Sequence, residues 1–166
     1  MSIYVSIGTS TANSYISVAS ADEYFDTREN SDAWIDISSN STGTLSATTR
    51  KENLLIQATR ELDGTYRFHD QKYNQGIRGQ DDYQNLEFPR SQNTDVDNDL
   101  FIPEDVEDAT CEQALWITQR TGKRTTTEGE VVENPFIGIE SNNYIKSWIN
   151  RQVMPVGRYS WQGSNF

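Results

Sequence analysis

Cysteine and histidine are almost missing from this chain of 166 residues, which has one of each, Cys111 and His69. A single cysteine excludes an internal disulfide, and a single histidine excludes a multi-histidine metal site. Long apolar runs are missing too. The longest aliphatic one is Leu54-Leu55-Ile56, far short of the ~20 residues that span a bilayer. Met1-Ser2-Ile3-Tyr4 has neither the basic region nor the apolar core of a signal peptide, so a soluble protein made in a cytoplasm is expected. Leu, Ile, Val and Phe together number 34, near the roughly 20% below which chains tend toward disorder. Eighteen aromatics argue the other way, because disordered chains are poor in them. One domain is expected at this length, with a compact core and sizeable polar appendages that order against a partner.

The last absence is local. Residues 141–166 hold no Asp or Glu, but carry Lys146, Arg151 and Arg158 among large aromatics. Taking these three from the 14 bases leaves 11 bases against all 25 acids in residues 1–140, a net −14 beside +3. Charge blocks of opposite sign attract, and a terminal segment is the part of a chain most easily lent to a neighbour. The split points to an assembling protein before an enzyme. A net charge of −11 also argues against a general nucleic-acid binder, although a local basic groove stays open.

Patterning predicts the elements. Ile3, Val5 and Ile7 alternate with polar residues as in a short strand, and Ser14–Val18 suits a second. Ser20 with Glu23 makes a capping box for a helix carrying Tyr24, Phe25 and Arg28. Asn30-Ser31-Asp32 ends it or caps a short helix with Trp34, Ile35 and Ile37. Ser38–Thr49 reads as a flexible loop. Leu54, Leu55, Ala58 and Leu62 predict a helix from about Arg50 to Asp63, stopped by Gly64. Tyr66–Leu86 is a long polar excursion and Asp95–Asp99 another loop. Pro103 opens a helix with Glu104 and Asp105 beside its positive end; Val106, Ala109, Ala114 and Ile117 form its apolar face and Gly122 closes it. Residues 122–135 are a loop or hairpin arm. Tyr144, Ile145, Trp148 and Ile149 share one face of a short helical turn, and the chain beyond Pro155 is extended. The fold class is mainly α: a small helical bundle with minor β-strands, long loops and an extended C-terminal arm. Residues 1–122 form the helical core with its short N-terminal strands. Residues 123–166 form the loop or hairpin and the arm, which is not an independent domain.

Catalytic patterns are weak. Asp95-x-Asp97-x-Asp99 opens like a calcium loop, but Leu100 and Val106 stand where the glycine and the glutamate belong. His69 lacks a Gly-x-Ser-x-Gly partner, leaving a small hydrolase as a distant option. Cys111 lies mid-helix beside the apolar face, as a buried unreactive thiol would. Glu104, Asp105, Glu107, Asp108 and Glu112 are spaced to spread around an exposed helix face. Gly76-Ile77-Arg78-Gly79 has no strand and helix to frame a phosphate loop. No cofactor, metal or enzyme activity is expected. For single-stranded DNA the candidates are Arg50, Lys51, Arg60, Arg67, Lys72, Arg78 and Arg90, with Tyr66, Phe68 and Tyr73 for stacking. Equally, Tyr66 and Phe68 suit the core at the end of the Leu54–Leu62 helix.

Four segments, in order, carry a resemblance. They are Asn13-Ser14-Tyr15-Ile16-Ser17 with Ala21-Asp22-Glu23-Tyr24-Phe25; Leu55 through Asp63; Phe88-Pro89-Arg90; and Ile102-Pro103-Glu104-Asp105-Val106 running to Ala109, Glu112 and Ala114. Together they resemble the head–tail adaptor (connector or head-completion) proteins of tailed bacteriophages, some of which are labelled DnaT-like single-stranded-DNA-binding proteins. The resemblance covers about residues 13–117; the Ser38–Thr49 loop and the Gln71–Leu86 excursion are long for the group. It implies a structural virion protein at the head–tail interface, forming a ring of twelve copies below the portal protein. Such a ring receives a stopper or tail-completion protein and lets DNA pass during genome ejection without binding it specifically. It implies no catalytic residues and no membrane.

Residue chemistry agrees, since a ring joins unlike patches and the acidic body and basic tail are unlike. The expected interface anchors are Trp148, Arg151, Arg158, Tyr159 and Trp161, because Trp, Tyr and Arg dominate interface centres. The alternative is that Trp148 and Trp161 close the subunit's own core. A second functional reading is a single-stranded-DNA-binding accessory protein of phage replication.

Overall fold

The computed structural model describes residues 2–38, 44–76, 83–122 and 139–152, with 120–122, 139, 142 and 148–152 described by backbone alone. Its elements are α1 (Val18–Asp26), α2 (Asp32–Ile35), α3 (Ala47–Thr65), β1 (Tyr66–Phe68), α4 (Glu104–Gly122), α5 (Ile139–Ile145), a 3-10 turn (Lys146–Trp148) and β2 (Ile149–Gln152). The expected mainly helical class is what is found.

α3 and α4 make the central pair. Leu62 shares one apolar cluster with Val106 and Ala109, while Leu55 and Ala58 share another with Ala114 and Ile117. The end of α3 therefore meets the start of α4, and the two run antiparallel. The first cluster also takes Tyr15, Tyr66, Phe68, Leu86, Phe88 and Ile145. The second takes Ile16, Phe25, Trp34 and Cys111. Each fully buried Leu, Ile or Phe contributes roughly 1.5–3 kcal/mol, and these two clusters carry the fold.

Local chemistry moves several boundaries. α3 begins three residues before the expected Arg50, because the Ser46 hydroxyl accepts from Thr49 N at 3.1 Å and caps the helix there. It passes through Gly64 to Thr65, since the chain turns straight into extended Tyr66, whose N–H still donates to Leu62 O. α1 is capped by Ser17, which accepts from Ser20 N at 3.1 Å, so the expected Ser20 capping box sits inside the helix. Arg28 lies just past its end.

The two N-terminal strands are absent. Tyr4 N–H donates to Asn13 Oδ1 at 2.7 Å, and Ser14 Oγ bonds Ile16 O at 2.9 Å, so side chains take the groups that a ladder would need. The β component lies elsewhere: β1 pairs antiparallel with β2, Tyr66 opposite Gln152, Arg67 opposite Arg151 and Phe68 opposite Ile149, with a bulge between Arg67 and Phe68. α5 packs on α4 through buried Ile145, and Tyr144 packs against the same cluster. Residues 139–152, counted by sequence with the arm, thus return to the body.

Amide side chains tie the irregular N-terminal segment down. Asn74 Nδ2 donates to Gly8 O and Asn85 Nδ2 to Ala12 O, both at 2.8 Å, and Asn85 N–H reaches Thr9 O at 3.1 Å. Gly8 has φ +69°, which favours glycine, and a Cβ there would press on Leu100 Cδ1 at 3.2 Å. Among the described residues no helix is long and apolar enough to cross a membrane. The expected hairpin arm at 123–135 and the extended chain beyond Pro155 lie outside the described residues.

Candidate functional site

The basic and aromatic residues considered for DNA are largely occupied by the protein itself. Tyr66 and Phe68 are buried in the first cluster, Phe68 meeting Phe88 edge-on at 4.8 Å. Arg90 is buried as well. Its guanidinium bonds Glu87 Oε2 at 2.7 Å and Asp70 O at 3.1 Å, and lies 5.3 Å from the Phe68 centroid and 5.4 Å from that of Phe88. Lys72 Nζ stands 3.0 Å from Glu87, and Lys51 Nζ 2.7 Å from Asp22 and 5.1 Å over the Trp34 ring. Arg50 bonds the Ser38 carbonyl. Arg60, Arg67 and Tyr73 are exposed, and Arg78 lies outside the described residues.

A concave site forms where the end of α1, the middle of α4 and the start of α5 converge. Glu112 is at its floor, 4% exposed. Arg28 Nε lies 2.6 Å from its Oε1, and the Tyr24 hydroxyl donates to the same oxygen at 2.7 Å. Tyr144 OH lies 3.5 Å from Tyr24 OH. The cavity, about 260 Å³, is walled by Leu115 and Trp116 and bordered by Glu29 and Glu140. Burial raises the Glu112 carboxyl above its ordinary range despite Tyr24 and Arg28, which favour the ion, and Glu140 adds to the rise. This corrects the expectation that all the acids of α4 lie on an exposed face. Glu112 is three residues after core residue Ala109, and that spacing places it on the buried stripe. Nearer the helix start, burial with Glu104 and Asp105 pushes Asp108 up to about 6.

A second, partly buried carboxylate is not marked by any sequence pattern considered above. Asp63 turns its carboxyl group into the first cluster, where it accepts from the Tyr15 hydroxyl and, at 3.1 Å, from Glu87 N. Burial outweighs those bonds and pushes it up to about 7. Its signal was positional: Asp63 follows buried Ile56 by seven residues and so shares its helix face. Glu61, joined to Gln113 at 2.7 Å across α3 and α4, is a third such polar core group.

The remaining candidates separate. His69 is exposed. Cys111 is buried, and burial drives its thiol well above the ordinary range. Asp95 uses its carboxylate on its own loop, accepting from Asp97 N and Asp99 N at 2.9 Å each, and no metal-holding cluster occurs among the described residues. Of the expected interface anchors, Trp148 ends the 3-10 turn and Arg151 lies in β2 opposite Arg67. Arg158, Tyr159 and Trp161 lie outside the described residues.

A family model described as "Putative DnaT-like ssDNA binding protein" matches residues 1–148, and the chain belongs to that family. No curated protein and no solved structure matches it.

Proposed function

We propose, from the resemblance of the four segments and the acidic body, that the chain is a structural subunit of a phage head–tail connector. In this reading it forms a ring of twelve copies below the portal, joins the capsid to a stopper or tail-completion protein, and lines the channel through which DNA leaves. The observation that carries the reading is the internal use of Lys51, Lys72 and Arg90 by Asp22 and Glu87. Cations held this way leave an acidic body that does not retain phosphate. Incubation with purified portal, imaged by electron microscopy, should give a ring beneath the portal. Absence of the protein from purified virions would overturn the reading.

The description of the family favours a second reading, a single-stranded-DNA-binding accessory protein, for which exposed Arg60, Arg67 and Tyr73 supply charge and a stacking ring. Anisotropy titration of a labelled oligonucleotide separates the two. Binding that weakens steeply with salt supports this reading, and no binding at micromolar protein at low salt removes it.

A further inference from the structure

Among the described residues the cleft above Glu112 carries more acid than base. There Glu29, Glu112 and Glu140 line it against one guanidinium, Arg28, and the Trp116 side chain forms part of its wall. A second cation entering here meets an excess of carboxylate beside an aromatic ring, the setting that best holds a guanidinium. An anion is repelled, and an apolar occupant would cover charged groups without pairing them.

The chain carries a segment of matching chemistry. Residues 153–166 contain one charged side chain, Arg158, next to Tyr159 and close to Trp161, with no acid. β2 brings the backbone to Gln152 beside Tyr66, and Tyr66 packs in the cluster of Val106 and Ala109, two to three turns before Trp116 on α4. Arg158 stands six residues beyond Gln152, so its backbone can lie up to about 20–22 Å away, a reach that allows the cleft of the same copy or that of a copy packed beside β2. Ring closure decides between them, because a ring joins unlike patches on successive copies, and a contact closed within one copy would use up both. We infer that the cleft between α1, α4 and α5 receives Arg158 and its flanking aromatics from the C-terminal segment of a neighbouring copy. This rests on the reading of the chain as a ring subunit.

A photo-cross-linking amino acid placed at position 159 of the full-length chain tests it. Heavy and light isotope-labelled copies are mixed, concentrated and irradiated, both free and with portal, and the linked peptides are read by mass spectrometry. The expected result is linkage to the segments holding Trp116 or Glu140 in mixed heavy–light pairs. Glu140 is exposed at the start of α5, so Glu140→Lys should leave the fold intact and lower the yield about tenfold, as loss of a charge-assisted contact does. Arg158→Glu should lower it similarly, and the double variant should restore it. Linkage confined to unmixed pairs would place the arm in its own cleft and overturn the assignment to a neighbour. No linkage to the cleft, or yields indifferent to both charge reversals, would overturn the site. A protein present in virions but lacking these links loses this inference alone, whereas absence from virions removes the ring reading itself.

Discussion

Two carboxylates bonded to tyrosines, buried Glu112 and partly buried Asp63, are both raised by desolvation but differ in the neighbours that oppose the rise. Glu112 has a cation in contact, with Arg28 at 2.6 Å. Asp63 has hydrogen bonds from Tyr15 and Glu87 N, but Lys72 is directed to Glu87 and helps Asp63 only from a distance. Hydrogen bonds alone do not offset burial there, and Asp63 takes a proton near neutral pH. A buried acid beside a cation works as an ion pair. One without a cation becomes a proton-dependent hydrogen-bonding group.

The largest expected effect breaks the Asp63 side. Phe88→Ala removes a ring packed against Tyr15, Phe68 and Arg90, and should cost about 3–5 kcal/mol in urea unfolding. Water admitted there should also lower the Asp63 pKa, visible by carboxyl NMR titration. On the other side, Glu112→Ala leaves Arg28 without its ion pair and Tyr24 without its acceptor. Arg28 is 30% exposed, so water recovers part of the loss, and about 2 kcal/mol is expected from the same measurement. A cost below ~0.5 kcal/mol would mean that the pair is no stronger than a surface bridge.

Asp63→Asn sharpens the contrast through pH. The folded carboxyl binds its proton up to about 7 against 3.8 when unfolded. Between those values the folded state holds the extra proton, so this contribution is full below about pH 4 and is lost as pH rises through 7. The difference between variant and wild-type stability should change in the variant's favour across that window. Because Glu112 and Asp108 are raised too, the difference, and not the wild-type curve, is the test. Smallest is Ser46→Ala, which deletes the α3 cap distant from both carboxylates and should cost about 1 kcal/mol without altering either titration.

Helix interiors were legible because their apolar spacing is regular: Leu54, Ala58 and Leu62 in α3 and Val106, Ala109, Ala114 and Ile117 in α4 predicted both helices. Starts were less legible, since several Ser and Thr residues compete as caps, and only packing selects Ser17 and Ser46. The N-terminal alternation misled because Asn13, distant in neither sequence nor space, offers Tyr4 both backbone and side-chain bonds. The cleft was only half legible. Glu112 follows from helix period, but Arg28 reaches it from just past α1 and Glu140 from α5, and no local pattern links residues 84 and 28 positions away.

The amide ties of the N-terminal segment bear on the order of folding. Asn74 to Gly8 and Asn85 to Ala12 close 66 and 73 residues of chain, a span whose entropy must be met before the bonds return anything. The helices can form beforehand, and the first dozen residues fasten only after the middle loops stand in place. They form a latch that closes last and opens first. Native-state hydrogen exchange should find the amides of Tyr4, Asn13 and Asn85 opening together, below the energy of global unfolding and ahead of those in α3 and α4.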